Sequence, residues 1–334
     1  MAAEDVMASR LAAFYSAYEI VEYLRFLFSV EEIPPVFPVS VDNLATILLR
    51  HISCVPFNNI EMHYSVHRMD PLCPRSVFDK VIRRERGGIH LELNSLFTTL
   101  LCSIGYNAWL VPARVAVEQT KPSNGSRAFR GITHCVPLVE IADVLTGEKQ
   151  VYLADVASGG ANILTPIPLE AATPEDDPYP GVLEESHRLV RVFLPGVLRP
   201  ELHWLLQHRT GDDAPWVDLY AFQEHEMTRN DFRALSRSSV ERLSVLAENV
   251  IAARIIRDGD EAVGKYVLLN NQLKTVKQAD GVSADSTDPL TAETVTLLVN
   301  ETARAEALRE FFWIDLDAAE RDAILQRKTA LPSF

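Results

Sequence analysis

The chain has 334 residues, 47% hydrophobic and 23% charged, the balance of a globular protein with two or three subdomains rather than a fibrous or disordered one. Its 32 basic and 46 acidic residues leave a net charge of −14, which argues against a nucleic-acid surface and against adsorption to anionic membranes. Four cysteines without CxxC spacing read as reduced thiols of a cytoplasmic protein; no signal-peptide pattern opens the chain, and no run approaches the ~20 apolar residues of a membrane span.

Taken in order, residues 7–30 place Leu11, Phe14, Tyr15, Tyr18, Val21 and Leu24 on one stripe, which predicts a helix. Three prolines in Ile33-Pro-Pro-Val-Phe-Pro38 forbid its continuation. Ser40 or Asp42 can cap the next helix, which runs to about His51. Val55-Pro-Phe-Asn-Asn-Ile60 is turn-forming, and 76–82 reads as a short helix. Arg86-Gly87-Gly88 supplies a further turn, since glycines admit backbone angles other residues resist. Directly after it, Leu91, Leu93, Leu96, Phe97, Leu100 and Leu101 predict a packed helix that starts at His90.

From Asn107 the texture changes to short β-branched and aromatic runs. Strands are predicted over 108–117, 134–141, 150–156, 187–194, 204–208 and 216–222, with a flexible connection at 118–127 and an acidic, proline-rich loop at 171–186. A helix is predicted over 239–256, then strands over 265–269 and 272–276, a loop over 279–288 and a last helix over 301–312.

Three polar residues stand out against apolar surroundings. His90 occupies a helix start, where it either caps and packs or carries chemistry. His134 opens the run Cys135-Val-Pro-Leu-Val139. Asp155 sits inside Val151-Tyr-Leu-Ala-Asp-Val156, where a carboxylate needs a partner. A reactive residue, a histidine on one strand and a carboxylate on the next form the layout of a catalytic triad.

In several ordered blocks the chain resembles the arylamine N-acetyltransferase family. Val55-Pro-Phe-Asn-Asn-Ile60 is similar to its VPFEN-type segment, and Arg86-Gly-Gly-Ile-His-Leu-Glu-Leu-Asn94 to its RGGxCxExN block. His134 begins a similar strand, and Tyr152-Leu-Ala-Asp-Val156 resembles the strand that ends in the family's aspartate. The resemblance implies an α+β fold with a cysteine-protease-like core. It divides into an N-terminal helical bundle (1–104, carrying His90), a β-barrel (105–225, carrying His134 and Asp155) and a C-terminal α/β lid (226–334). It also implies a base at His134, an orienting carboxylate at Asp155, and supporting roles for Phe57, Arg86, Glu92 and Asn94 around the pocket. The family passes acetyl from coenzyme A to a cysteine and then to an arylamine.

This chain departs from that pattern at the nucleophile, where His90 stands in place of cysteine. Asp155-Val-Ala-Ser-Gly159 lacks the family's first glycine and its phenylalanine, and Asn58 replaces a glutamate. Without a thiolate, ping-pong acetyl transfer is expected to be weak or absent. The leading expectation is therefore an enzyme of this fold repurposed for acid/base chemistry by His90, His134 and Asp155. It would carry out condensation, cyclisation or addition on a small aromatic or polyketide-type intermediate of secondary metabolism and require no cofactor. A helix N-terminus should keep His90 neutral, while Asp155 favours a protonated His134. One alternative is acyl transfer from coenzyme A without a cysteine, in which Lys121, Arg127 and Arg130 are candidate phosphate contacts. Another is an inactive small-molecule-binding homologue. No metal is expected, because Asp155 is committed to His134. Neither nucleic acid nor membrane is an expected partner, and the oligomeric state is not legible.

Overall fold

The computed structural model describes residues 15–28, 38–65, 73–119, 127–143, 145–173, 177–239, 245–278 and 291–332. Helix α1 (Ala17–Phe28) and helix α2 (Val41–Cys54) open the described chain, and the Ser40 side chain caps α2 by accepting from Asn43 N–H. Residues 7–14 and 29–30 of the predicted 7–30 helix lie outside the described residues, as do Lys121 and the predicted loop over 279–288. Strand β1 (Phe57–Asn58), helix α3 (Ile60–Tyr64) and helix α4 (Pro74–Phe78) follow. A π turn over Asp79–Arg83 extends α4, where Arg84 N–H reaches the Asp79 carbonyl. Helix α5 (His90–Ser103) is buried along most of its length. The apolar positions that predicted it are the ones packed inside.

Strands β2 (Asn107–Ala116) to β9 (Val217–Phe222) form an eight-stranded antiparallel sheet, a nearly closed barrel, in the order β5-β4-β3-β2-β9-β8-β7-β6. Within it, β3 spans Phe129–Ala142, β4 Lys149–Leu153, β5 Ile167–Pro168 and β6 Tyr179–Pro180. Strands β7 (Glu185–Phe193) and β8 (Leu202–Thr210) complete it. Asp155 falls two residues past the end of β4 rather than inside a strand as expected, because pairing with β3 stops at Leu153.

The C-terminal part corrects one prediction. In place of a helix over 239–256 the chain forms α6 (Arg229–Ser239), a single turn α7 (Val245–Glu248) and strand β10 (Ile251–Asp258). Ala252 to Ile255 are all buried, because β10 is covered on both faces and paired with β1 and β11 (Glu261–Leu269). Full burial erases the alternation that marks a strand, so a short apolar run reads as helix. Strand β12 (Gln272–Gln278) and an exposed edge strand β13 (Thr291–Leu297) complete a five-stranded sheet, β1-β10-β11-β12-β13. Helix α8 (Glu301–Phe312) matches its prediction. Helix α9 (Ala318–Ile324) was missed, although Asp317 and Glu320 form a capping box that signals it.

Of four apolar clusters among the described residues, two are large. The larger joins α1, α2, α5 and the barrel interior; the smaller packs α3, α8 and α9 against the five-stranded sheet. Phe57 and Asn58 belong by sequence to the first third yet pair with Ala253 and Ala252, so the second sheet begins next to the turn that precedes His90. Among the described residues no helix is long and apolar enough to cross a membrane.

Candidate active site

The turn before His90 is built by backbone necessity. Gly87 has φ +60°, and a Cβ there would lie 2.0 Å from the Pro56 carbonyl, so only glycine lets the two strands of chain approach. Asn58 secures that approach: its Nδ2 donates to the Arg86 carbonyl at 2.8 Å, and its Oδ1 accepts from Ile60 N–H at 3.1 Å. At the helix start Glu92 Oε2 accepts from Ile89 N–H at 2.9 Å. Lys80, buried below it, donates to both Glu92 oxygens at 2.8 and 3.0 Å and to Glu61 at 2.5 Å. Glu92 therefore supports the helix start rather than facing a substrate. The Arg86 guanidinium reaches away, to Glu320 and the Asp315 carbonyl, and ties the turn to the C-terminal segment.

His90 at the head of α5, His134 on β3 and Asp155 beyond β4 meet in one place. The His90 and His134 rings lie 5.0 Å apart, centroid to centroid, tilted by 59°. His134 Nε2–H donates to Asp155 Oδ2 at 3.0 Å. Among the described residues none hydrogen-bonds His134 Nδ1, the nitrogen left for chemistry. Asp155 is fully buried, His134 5% exposed and His90 6%.

Asp155 is held from every side. Besides His134 it accepts from Ser158 Oγ at 2.6 Å, Asn94 Nδ2 at 2.8 Å and Ala157 N–H at 2.9 Å. Burial alone would raise its pKa; the His134 ring and the hydrogen bonds from His134, Ser158 and Asn94 outweigh it and hold the carboxyl well below the usual range. Asn94 also donates to the Cys135 carbonyl at 2.7 Å and accepts from Val156 N–H at 3.1 Å, so one amide joins α5, β3 and the Asp155 loop. Sequence reasoning missed Ser158, which stands where the family pattern has phenylalanine. A hydroxyl three residues after a buried carboxylate is the signal that could have found it.

His90 is neutral for a different reason from the one expected. Burial, then the neighbouring His134, push its pKa down to about 3, and its Nε2 is buried with no hydrogen-bond partner. Neither nearby thiol substitutes for the absent cysteine. Cys135 is fully buried, and burial pushes its thiol well up; Cys102 donates to the Ala108 carbonyl at 3.3 Å near the far end of α5. Tyr220 on β9 closes the other side, its ring 5.0 Å from His134, kept protonated by burial and by the Asp155 charge.

The remaining expected site residues lie elsewhere. Phe57 on β1 packs in the larger core, with its ring beside Gly159 in the Asp155 loop. Arg127 is engaged by Asp218 Oδ2 at 3.0 Å, and Arg130 is half-buried in β3. Among the described residues no three His, Cys, Asp or Glu side chains converge as a metal-ligand set.

Known proteins are similar to this chain in sequence and in fold. A family model described as N-acetyltransferase matches residues 40–320. The N-malonyltransferase FDB2 of Fusarium pseudograminearum is 25% identical over 298 residues, covering 85% of this chain and 82% of that one. Among solved structures, the arylamine N-acetyltransferase from Mycobacterium abscessus superposes with a TM-score of 0.70 at 22% identity, over 92% of this chain and 93% of that one. The Mycobacterium marinum arylamine N-acetyltransferase in complex with CoA does so with a TM-score of 0.68 at 22% identity, over 93% and 100%. A match that spans both sheets and the whole site, with histidine where the pattern expects cysteine, places this chain in the arylamine N-acetyltransferase family of acyltransferases.

Proposed function

We propose that this protein transfers an acyl group from a coenzyme A thioester directly to an amine, in one step and without an acyl-enzyme. The observation that carries the reading is the state of His90: a buried, neutral imidazole with an unpartnered Nε2, 5.0 Å by ring centroids from His134. A group with a pKa near 3 cannot exchange a proton usefully near neutral pH, which weakens the acid/base pairing expected for condensation or cyclisation. A neutral imidazole N–H can still donate a hydrogen bond to a developing oxyanion.

In this reading the amine nitrogen attacks the thioester carbonyl while His134 Nδ1 takes its proton. Asp155 holds the ring and the positive charge that forms on it. His90 Nε2–H donates to the carbonyl oxygen as it becomes negative. The C–S bond then breaks, and the departing thiolate recovers the proton from His134, so thioester and amine give amide and thiol. The similarity to N-malonyltransferases and arylamine N-acetyltransferases supports an amine acceptor; in this reading it is a small aromatic or polyketide-type molecule.

The test is turnover of acetyl- and malonyl-coenzyme A with an arylamine, together with intact-protein mass. Wild type should acylate the amine and show no acyl adduct under single turnover. His134→Asn should lower kcat by ~10²–10⁴-fold. His90→Ala should lower it by ~10²–10³-fold, the effect of removing one oxyanion donor. His90→Cys should acquire an acyl mass. An adduct on wild-type His90, or turnover that survives His134→Asn, overturns the proposal.

A further inference from the structure

A second buried polar cluster lies behind the loop that follows Asp155, and the acyl-transfer steps do not use it. It comprises Glu185 and His187 on β7, His208 on β8 and Lys265 on β11. Lys265 Nζ donates to Glu185 Oε1 and to the Gly160 carbonyl, each at 2.5 Å. His208 Nε2 stands 3.5 Å from the same Glu185 oxygen. His187 Nε2 donates to the Ala161 carbonyl at 3.2 Å. Lys265 is 7% exposed, Glu185 9% and His187 not at all.

These groups grip the backbone of one short loop. Gly160 sits so close to β11 that a Cβ there would meet Val267 at 3.1 Å, and Gly159 takes φ +69° beside the Phe57 ring. Asn162 closes the loop on itself, accepting from Ser158 N–H at 3.0 Å and donating to the Gly159 carbonyl at 2.8 Å. At its near end the loop delivers Ser158 Oγ to Asp155. The chain of contacts therefore runs from an ammonium on the five-stranded sheet, through the Gly160 carbonyl and the loop backbone, to the carboxylate that holds His134.

A purely structural ion pair does not require this arrangement. Glu185 Oε2 and Nδ1 of both His187 and His208 are left without partners, so the cluster sacrifices hydrogen bonds while Lys265 and His187 each spend one on the loop. Burial keeps His187 neutral, with its pKa pushed down to about 4, and its bond to a carbonyl makes Nε2 the protonated nitrogen.

We infer that Lys265 is a positioning residue: from β11 it holds Gly160, and through the 157–162 loop it fixes Ser158 on Asp155 and thereby the His134 ring. The effect on kcat rests on the proposed acyl transfer; the effect on His134 itself does not. The test is an NMR titration of the His134 ring in the ligand-free full chain, beside kinetics with acetyl-coenzyme A and an arylamine. Ser158→Ala removes one donor, concentrates charge on Asp155 and should raise the His134 midpoint. Lys265→Met should move that midpoint in the same direction and lower kcat by ~10–10²-fold, the scale of a small misplacement of a reacting group, with KM little changed. Lys265→Arg should restore part of both effects. Lys274→Met, at an exposed pair with Glu293 on the same sheet, should change neither. Should Lys265→Met fail to fold, Glu185→Gln, which removes the ammonium's charge partner, should give the same shift in smaller measure. A Lys265 or Glu185 variant that melts earlier yet leaves the His134 midpoint at the wild-type value overturns the inference. Absence of acyl transfer in wild type would defeat only the reading of the reaction, since the titration decides the positioning role by itself.

Discussion

The molecule contains two buried assemblies of carboxylate and imidazole, and they differ in what neutralises the carboxylate. Asp155 is held by an imidazole and three neutral donors; Glu185 is held by an ammonium, with an imidazole further off. An ammonium beside a carboxylate leaves no proton to move near neutral pH, because Lys and Glu titrate far on either side of it. An imidazole held by a carboxylate at one nitrogen can still accept a proton at the other. The Asp155 assembly also has unfilled capacity at His134 Nδ1 and at the neighbouring His90 Nε2, on rings whose centroids lie 5.0 Å apart. Similar residue types thus give one set suited to proton transfer and one suited to holding a loop still.

The sharpest way to break the comparison is Asp155→Asn. It keeps the shape and the Ser158 and Asn94 neighbours but removes the charge that supports protonated His134. Turnover should fall ~10³–10⁴-fold in kcat/KM, the upper range for loss of a positioned acid/base group, with little change in the circular dichroism spectrum. Retained turnover would mean that His134 works without its carboxylate.

Lys265→Met should cost stability as well as positioning. Removing one partner of a buried pair leaves Glu185 uncompensated, and urea unfolding should show a loss of ~3–5 kcal/mol. Asp155→Asn should lose less, since its other contacts are neutral. Equal losses would erase the distinction between the two assemblies.

The smallest effect is a pH dependence. His90 and His187 have folded pKa values pushed down to about 3 and about 4 by burial. The unfolded chain therefore takes up protons first as the pH falls below the ordinary histidine value of ~6.5. Stability is present above that value and falls with pH until the folded groups protonate, by about 1.4 kcal/mol per pH unit for each group within its window. Asp155 and Glu185 oppose nothing there, since their lowered pKa values withdraw stability only below ~4. Urea midpoints at about pH 7 and about pH 5 should differ in wild type, and either His90→Asn or His187→Asn should flatten the difference by one histidine's share. An unchanged slope would show that the imidazole is protonated in the folded state.

Much of the fold was legible in the sequence where local pattern and final environment agree. Helix α5 was predicted from its leucines because one helix meets one core, and α8 from residues 301–312 for the same reason. Strand β10 reads as helix because its two faces enter two cores, Ala253 and Ile255 the larger and Ala252 the smaller, and its partner β1 lies nearly two hundred residues earlier. Strand β13 carries almost no burial and hence no apolar pattern; only its ladder with β12 makes it a strand. In the site, the ordered blocks located His90, His134 and Asp155, whereas no local pattern marked Ser158, His187 or His208.

By itself the sequence determined the glycine turn before α5, the helix that starts at His90, and the histidine standing where its family keeps a thiol. These follow from backbone permissiveness, apolar spacing and motif order, all properties of neighbours along the chain. Only the tertiary structure decided that His90 is neutral, that Asp155 is a four-times-bonded carboxylate, and that a lysine from another sheet bonds the loop that follows Asp155. Burial and charge balance depend on groups brought together from β3, β7, β9 and β11, and no local pattern encodes which of them will meet.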